Sequence, residues 1–156
     1  MKKSIFAISV ILIAIMAVGS VSAFDLGSIL GSSDDGQNQT VTIDGIDFNV
    51  PAGFSELVNE STVNETVEEG VITFTNNGKV FESKDDVVAI LVADYGELKI
   101  TDEIVGSVAG DAKTINNIQG YLSTDGIYKV FSYAKDNKLV VISSTDEGVI
   151  GDFIIN

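Results

Sequence analysis

Three tripeptides in this chain fit the acceptor pattern for N-linked sugar, in which a side-chain amide is followed two residues later by a hydroxyl: Asn38-Gln39-Thr40, Asn59-Glu60-Ser61 and Asn64-Glu65-Thr66. The chemistry they name is glycosylation of Asn38, Asn59 and Asn64, and it requires export from the cytoplasm. A polar loop rich in Asn and Thr produces the same spelling. Acidic pairs stand at Asp34-Asp35, Glu68-Glu69, Asp85-Asp86, Asp102-Glu103 and Asp146-Glu147, and clustered carboxylate oxygens are what calcium takes. None of these pairs follows the order of alternate carboxylates, glycine and distant glutamate that builds a calcium loop. Turns and helix starts account for them, and no metal site is expected.

What is missing narrows the chemistry further. Without histidine the chain lacks the usual general base, the commonest zinc ligand and any Ser-His triad. Without cysteine it has no disulfide, thiolate metal site, cysteine nucleophile or lipid-accepting thiol. No G-x-G-x-x-G or Walker sequence offers a phosphate cradle, so no cofactor is expected. A carboxylate pair hydrolysing glycosides needs a long groove with aromatic platforms. This chain has no Trp, and Tyr95, Tyr121, Tyr128 and Tyr133 fall in or beside strand patterns. A small enzyme built on carboxylates and lysine is the alternative to a non-enzymatic domain.

Charge and the first residues bear on compartment. The 156 residues carry a formal net charge of −14, with 23 acids, nine lysines and no arginine. Two of those lysines, Lys2 and Lys3, belong to the extreme N-terminus, which leaves the rest more acidic still. Nucleic acid and anionic lipid surfaces both demand Lys/Arg, so neither is an expected partner. Ile5 to Val18 is an uncharged apolar run, followed by Gly19-Ser20-Val21-Ser22-Ala23 with small residues where a signal peptidase cuts. As a helix the run spans about 21 Å against a hydrocarbon core of roughly 30 Å. Residues 1–23 therefore read as a cleaved signal peptide, or as an N-terminal membrane anchor, and both place the remainder outside the cytoplasm. Any membrane contact is expected through this segment alone.

Residues 24–38 are rich in Ser, Gly and Asp and read as a flexible acidic tether. Residues 39–156 read as one α+β domain. Thr40–Ile43 and Ile46–Val50 alternate apolar and polar residues around Asp44-Gly45, a two-residue hairpin turn, and Pro51 ends the second arm. Asn76-Asn77-Gly78 reads as another hairpin turn between Val71–Thr75 and Lys79–Ser83. Val87–Ala93 is apolar on both faces and reads as a central strand covered on each side, by helices on one. Thr101 is placed to cap a helix over 102–109, stopped by Gly110. Three further strands follow across the Asn116-Asn117, Asp125-Gly126 and Lys135-Asp136-Asn137 turns. Ser144 and Glu147 form a capping-box pattern before a C-terminal helix carrying Val149, Ile150, Phe153 and Ile154. The stretch 55–69 is poorly marked, with one helical turn near Leu57 and Val58. The expected fold is an antiparallel sheet of about six to eight strands in hairpins and meanders. Two or three helices accompany it, the C-terminal one packed on the sheet.

The N-terminal segment, the acidic tether, Val41 to Phe54 (VTIDGIDFNVPAGF) and Tyr128 to Ile142 (YKVFSYAKDNKLVVI) together resemble small exported surface proteins of unknown function from methanogenic archaea. The order of hairpin, Pro-Ala-Gly-Phe, meander, helix, meander and C-terminal helix is similar to the Mog1/PsbP-like α+β sandwich. That resemblance implies a fold in which protein binding is common, and it brings no functional residue. The functional expectation is an exported, non-enzymatic cell-envelope domain that binds an envelope protein partner. A purely structural or solvating surface protein is a further alternative. The polar stretch 55–69, with any open strand edge, is the expected contact surface.

Overall fold

The computed structural model describes residues 37–69 and 72–156, with the side chain of Glu69 left aside. The readings of residues 1–23 and of the tether up to Gly36 lie outside the described residues. Among the described residues no helix is long and apolar enough to cross a membrane.

The chain opens with the expected hairpin. Strands β1 (Gln39–Ile43) and β2 (Ile46–Val50) pair antiparallel as a sheet of their own. Asp44 at φ 48° and Gly45 at φ 81° supply the two left-handed residues of the turn. Among the described residues the large sheet has eight strands. Down its main path lie β3 (Ser55–Glu56), β5 (Ile72–Glu82), β6 (Val87–Asp94), β10 (Lys138–Ser144), β9 (Tyr128–Lys135), β8 (Ile118–Asp125) and β7 (Asp111–Ile115). β4 (Thr62–Glu69) joins β3 along the outer side of β5. One 3-10 turn (Val58–Glu60) links β3 to β4. Among the described residues there are two α-helices, both short: α1 (Asp102–Gly106) and α2 (Glu147–Asp152).

The described residues are thus mostly antiparallel β with little helix, broadly the expected α+β arrangement, and their ten strands exceed the expected six to eight. Two local features depart from the expectation, the first adding strands and the second merging two into one. The stretch 55–69 holds β3 and β4 as well as the anticipated helical turn. Val63 to Thr66 and Glu68 are exposed and only Val67 packs on a core, so no apolar alternation betrayed an edge strand that pairs on one side only. Asn76-Asn77-Gly78, moreover, is no turn. The three residues run through the middle of β5, buried, with Asn77 opposite Val92 and Gly78 opposite Leu91. The turn-forming residue types were overridden by an eleven-residue strand that β6 binds along most of its length.

Two cores lie on opposite faces of the large sheet. On one, Phe81, Val88, Ile90, Val92, Phe131, Tyr133, Val140 and Ile142 meet Ile43, Ile46, Phe48 and Val50 of the first hairpin and Ile150, Phe153 and Ile154 of the C-terminal segment. On the other, Phe74, Leu91, Ala93, Val130, Leu139 and Val141 meet Tyr95, Ile100, Val105 and Ala109. The covers are therefore a hairpin with α2 on one face and α1 with its preceding loop on the other. A completely buried phenylalanine contributes about 1.5–3 kcal/mol, and Phe48, Phe131 and Phe153 are all fully buried. β6 and β10 sit between both cores, which explains their runs of apolar residues.

Caps and turns refine the reading. The Thr101 hydroxyl accepts from the N–H of Ile104 at the start of α1, and Gly110 at φ 101° follows the helical segment. The capping box does not form. Asp146 caps α2 by accepting from Gly148 N at 2.8 Å, and the Ser144 hydroxyl accepts from Asp146 N two residues earlier. Glu147 instead reaches Lys113 on β7, 2.7 Å away. The turn expected at Asp125-Gly126 is shifted by one residue: Asp125 pairs with Tyr128, and Gly126 at φ 58° with Ile127 makes the turn.

Candidate functional site

The large sheet ends in two different edges. At one end β4 is irregular. Its pairing with β5 slips between Thr62 and Glu65, where Asn64 stands at φ 50°. The N–H of Asn64 is taken by the Oδ1 of Asn77 at 2.8 Å, so a buried side-chain amide replaces the missing ladder partner. β3 is tied to β5 by the Glu56–Lys79 ion pair, whose two oxygens lie 2.6 and 2.7 Å from Nζ. A bulged edge with acids at Glu60, Glu65 and Glu68 resists further strand pairing.

At the other end β7 is regular. Its five residues pair with β8 in unbroken register, from Asp111 opposite Leu122 to Ile115 opposite Ile118. Asp111, Ala112, Lys113 and Thr114 are all exposed, and among the described residues no strand pairs with the outer side of β7. The Asn116-Asn117 turn, with φ 47° and 62°, holds this ribbon in shape. On the α1 side of the ribbon lies a concavity of about 280 Å³. Asp102, Ala112, Lys113, Thr114, Gln119 and Tyr121 line it. Glycines permit close approach on both faces: a Cβ on Gly106 would collide with the Tyr121 phenol on the α1 side, and one on Gly120 would lie 2.6 Å from Phe131 of the opposite core.

This lining offers carboxylate, amide, hydroxyl, phenol and ammonium groups to a polar ligand. Lys113 is already engaged by Glu147, which leaves Asp102 to favour donors. No histidine or thiol is present to act as base or nucleophile. A second, wider depression of about 540 Å³ is walled by Asn38, Asn49, Asn116, Asp152 and Ile154. Its amides serve the fold: Asn49 donates to Asp152 O at 2.6 Å and Asn116 to Ile154 O at 2.8 Å, which ties the C-terminus to the first hairpin and to the β7–β8 turn.

Of the acidic pairs, Asp34-Asp35 lies outside the described residues. Among the described residues no three carboxylates gather closely enough to hold a metal ion. Two tyrosines take structural places: Tyr95 stacks on Phe74 with centroids 4.8 Å apart, and Tyr133 packs against Phe131 at 5.6 Å. Burial pushes the Tyr133 phenol far above its usual range. Among the described residues, Lys138 gathers two carboxylates, Asp44 and Asp94, at 2.9 and 3.5 Å. Lys138 also donates to the Asp44 carbonyl at 2.7 Å and so clamps the first hairpin turn onto the sheet. Burial disfavours its charge, but the hydrogen bond and negative charge of Asp44, with those of Asp94, outweigh this and raise its pKa.

Of the three acceptor asparagines, all are exposed but they differ in surroundings. Asn38 Oδ1 accepts from Ala52 N at 3.0 Å. Asn59 sits in the 3-10 turn and Asn64 at the β4 bulge. Sequence reasoning found these residues and missed the β7 concavity. The only signal for it was the Lys113–Ser123 hairpin itself. No family model, no curated protein and no solved structure matches this chain.

Proposed function

We propose that this chain is an exported, non-enzymatic cell-envelope domain that holds an extended segment of an envelope protein along the β7 edge. Residues 1–23 deliver it across the membrane. The observation that carries the reading is the contrast between the two sheet edges. β4 is bulged and acidic, whereas β7 presents four consecutive exposed residues in unbroken register beside a 280 Å³ concavity. An added strand would draw affinity from main-chain hydrogen bonds and selectivity from side chains entering the concavity at every second position. Asp102 suits a segment that brings basic or amide donors.

The test is co-purification of the chain from its native envelope in mild detergent. Wild type should bring down a partner, and the double variant Ala112→Arg/Thr114→Arg should lose it while keeping its circular dichroism. Both residues are exposed, so the fold should tolerate the change. Retention of the partner by this variant, with loss on Val63→Arg, would move the contact to the β4 edge and refute the assignment.

A further inference from the structure

Three large apolar side chains are exposed among the described residues, and two of them each stand immediately before an acceptor asparagine: Val58 at 72% and Val63 at 75%. The sequence around them is a near-repeat, Val58-Asn59-Glu60-Ser61 and Val63-Asn64-Glu65-Thr66. The fold sets both copies on one continuous border of the sheet, the first in the 3-10 turn and the second at the β4 bulge. The side-chain amides of Asn59 and Asn64 make no hydrogen bond to any described residue, in contrast to Asn38, whose amide oxygen accepts from Ala52 N at 3.0 Å. At Asn64 the backbone is pinned by Asn77 Oδ1 while the side chain is left open to solvent.

We infer that the β3–β4 border is a paired N-glycosylation site, with Asn59 and Asn64 as acceptors and Asn38 unmodified. The donor is a polyprenyl-phosphate-linked oligosaccharide at the outer membrane face. The Asn Nδ2 forms a bond to the anomeric carbon as the bond from that carbon to the phosphate oxygen breaks. The amide proton leaves with the released lipid phosphate, so no oxidant or reductant is needed. Ser61 and Thr66 supply the hydroxyls that the acceptor pattern demands. Thr66 lies exposed on a strand paired on one side only, and local peeling of such an edge frees it for the transferase. Once attached, the sugars lie over Val58 and Val63 and bar a second chain from the β4 edge. The inference rests on the export reading.

The experiment is glycopeptide mass spectrometry on the full chain purified from cells of its source, after separating envelope from cytoplasm. Hexose-containing mass on the peptides with Asn59 or Asn64, and none on Asn38, is the expected result. Thr66→Ala, which keeps the acceptor amide, should remove the Asn64 glycan. Because wild type alone gives the primary answer, a poorly folding variant does not spare the proposal. An exported chain with both asparagines unmodified overturns it and leaves the export reading standing, a chain retained inside the cell overturns both, and sugar on Asn38 overturns the choice of acceptors.

Discussion

The backbone N–H of Asn64 donates to the buried Oδ1 of Asn77 at 2.8 Å, so a side chain in the middle of β5 completes the bulge of its neighbour β4. Asn77→Leu strands that donor and is expected to cost about 1–2 kcal/mol. The adjacent Asn76 is also buried, yet its Oδ1 has no hydrogen-bond partner among the described residues. Asn76→Leu should therefore be neutral or stabilising. Urea denaturation of the two variants checks the pair, and equal losses would contradict the assigned roles.

Alkaline pH should weaken the fold through two named groups. The Lys138 ammonium is held by Asp44 and Asp94 in the folded chain, and its pKa there is raised above 10.5. Its contribution is complete below the unfolded pKa and is lost as pH rises through the folded one. The Tyr133 phenol, kept neutral by burial, ionises in the unfolded chain from its ordinary value of 10.0. The unfolded state thus releases both protons first, and stability falls as pH climbs above about 10. Lys138→Met should cost about 2 kcal/mol at neutral pH, where the charged hydrogen bond is lost. Both Lys138→Met and Tyr133→Phe should flatten the decline in melting temperature between pH 9 and 11, roughly the window of the unperturbed lysine and tyrosine values. A decline unchanged in both variants would refute the linkage.

Glycine substitutions separate conformational strain from collision. Gly45, at φ 81°, has open space around a Cβ, so Gly45→Ala should cost about 1 kcal/mol from the left-handed backbone alone. Gly120 has a Cβ position 2.6 Å from Phe131 and 2.7 Å from the Ser132 carbonyl, so Gly120→Ala should cost about 1–3 kcal/mol by overpacking. At Gly78 the added atom would touch the Ile90 carbonyl and Leu91 at 3.3 Å in ordinary strand backbone. Any loss there reports crowding, whereas turn strain belongs to Gly45. A lower melting temperature for Gly45→Ala than for Gly120→Ala would contradict the packing described.

These residues also show what could be read in the sequence. Asp44-Gly45, Asn116-Asn117 and Asp136-Asn137 spell their turns because each must adopt positive φ, a local demand that local chemistry meets. Val87–Ala93 announced a central strand because both its faces are buried. Asn76-Asn77-Gly78 misled because the same residue types served a bulge, a buried amide and a close strand approach, all set by partners far along the chain. β4 escaped notice since an edge strand with solvent on its sides has no apolar period. The acceptor asparagines were legible as motifs. The β7 concavity was not, because it depends on α1 meeting β7 and β8 in space.

The claim that β7 is the working edge is tested most directly by a photo-reactive amino acid placed in the full chain, at Thr114 in one strain and at Glu68 in another, and irradiated in intact cells. Both positions are exposed and each lies on an edge strand, so the two probes differ only in which end of the sheet they report. The account expects one reproducible envelope adduct from Thr114, none from Glu68, and no steady turnover of esterase, phosphatase, glycosidase or peptidase substrates by the same preparation. An adduct from Glu68 alone, or turnover abolished by replacing one Asp, Glu or Lys, would contradict it.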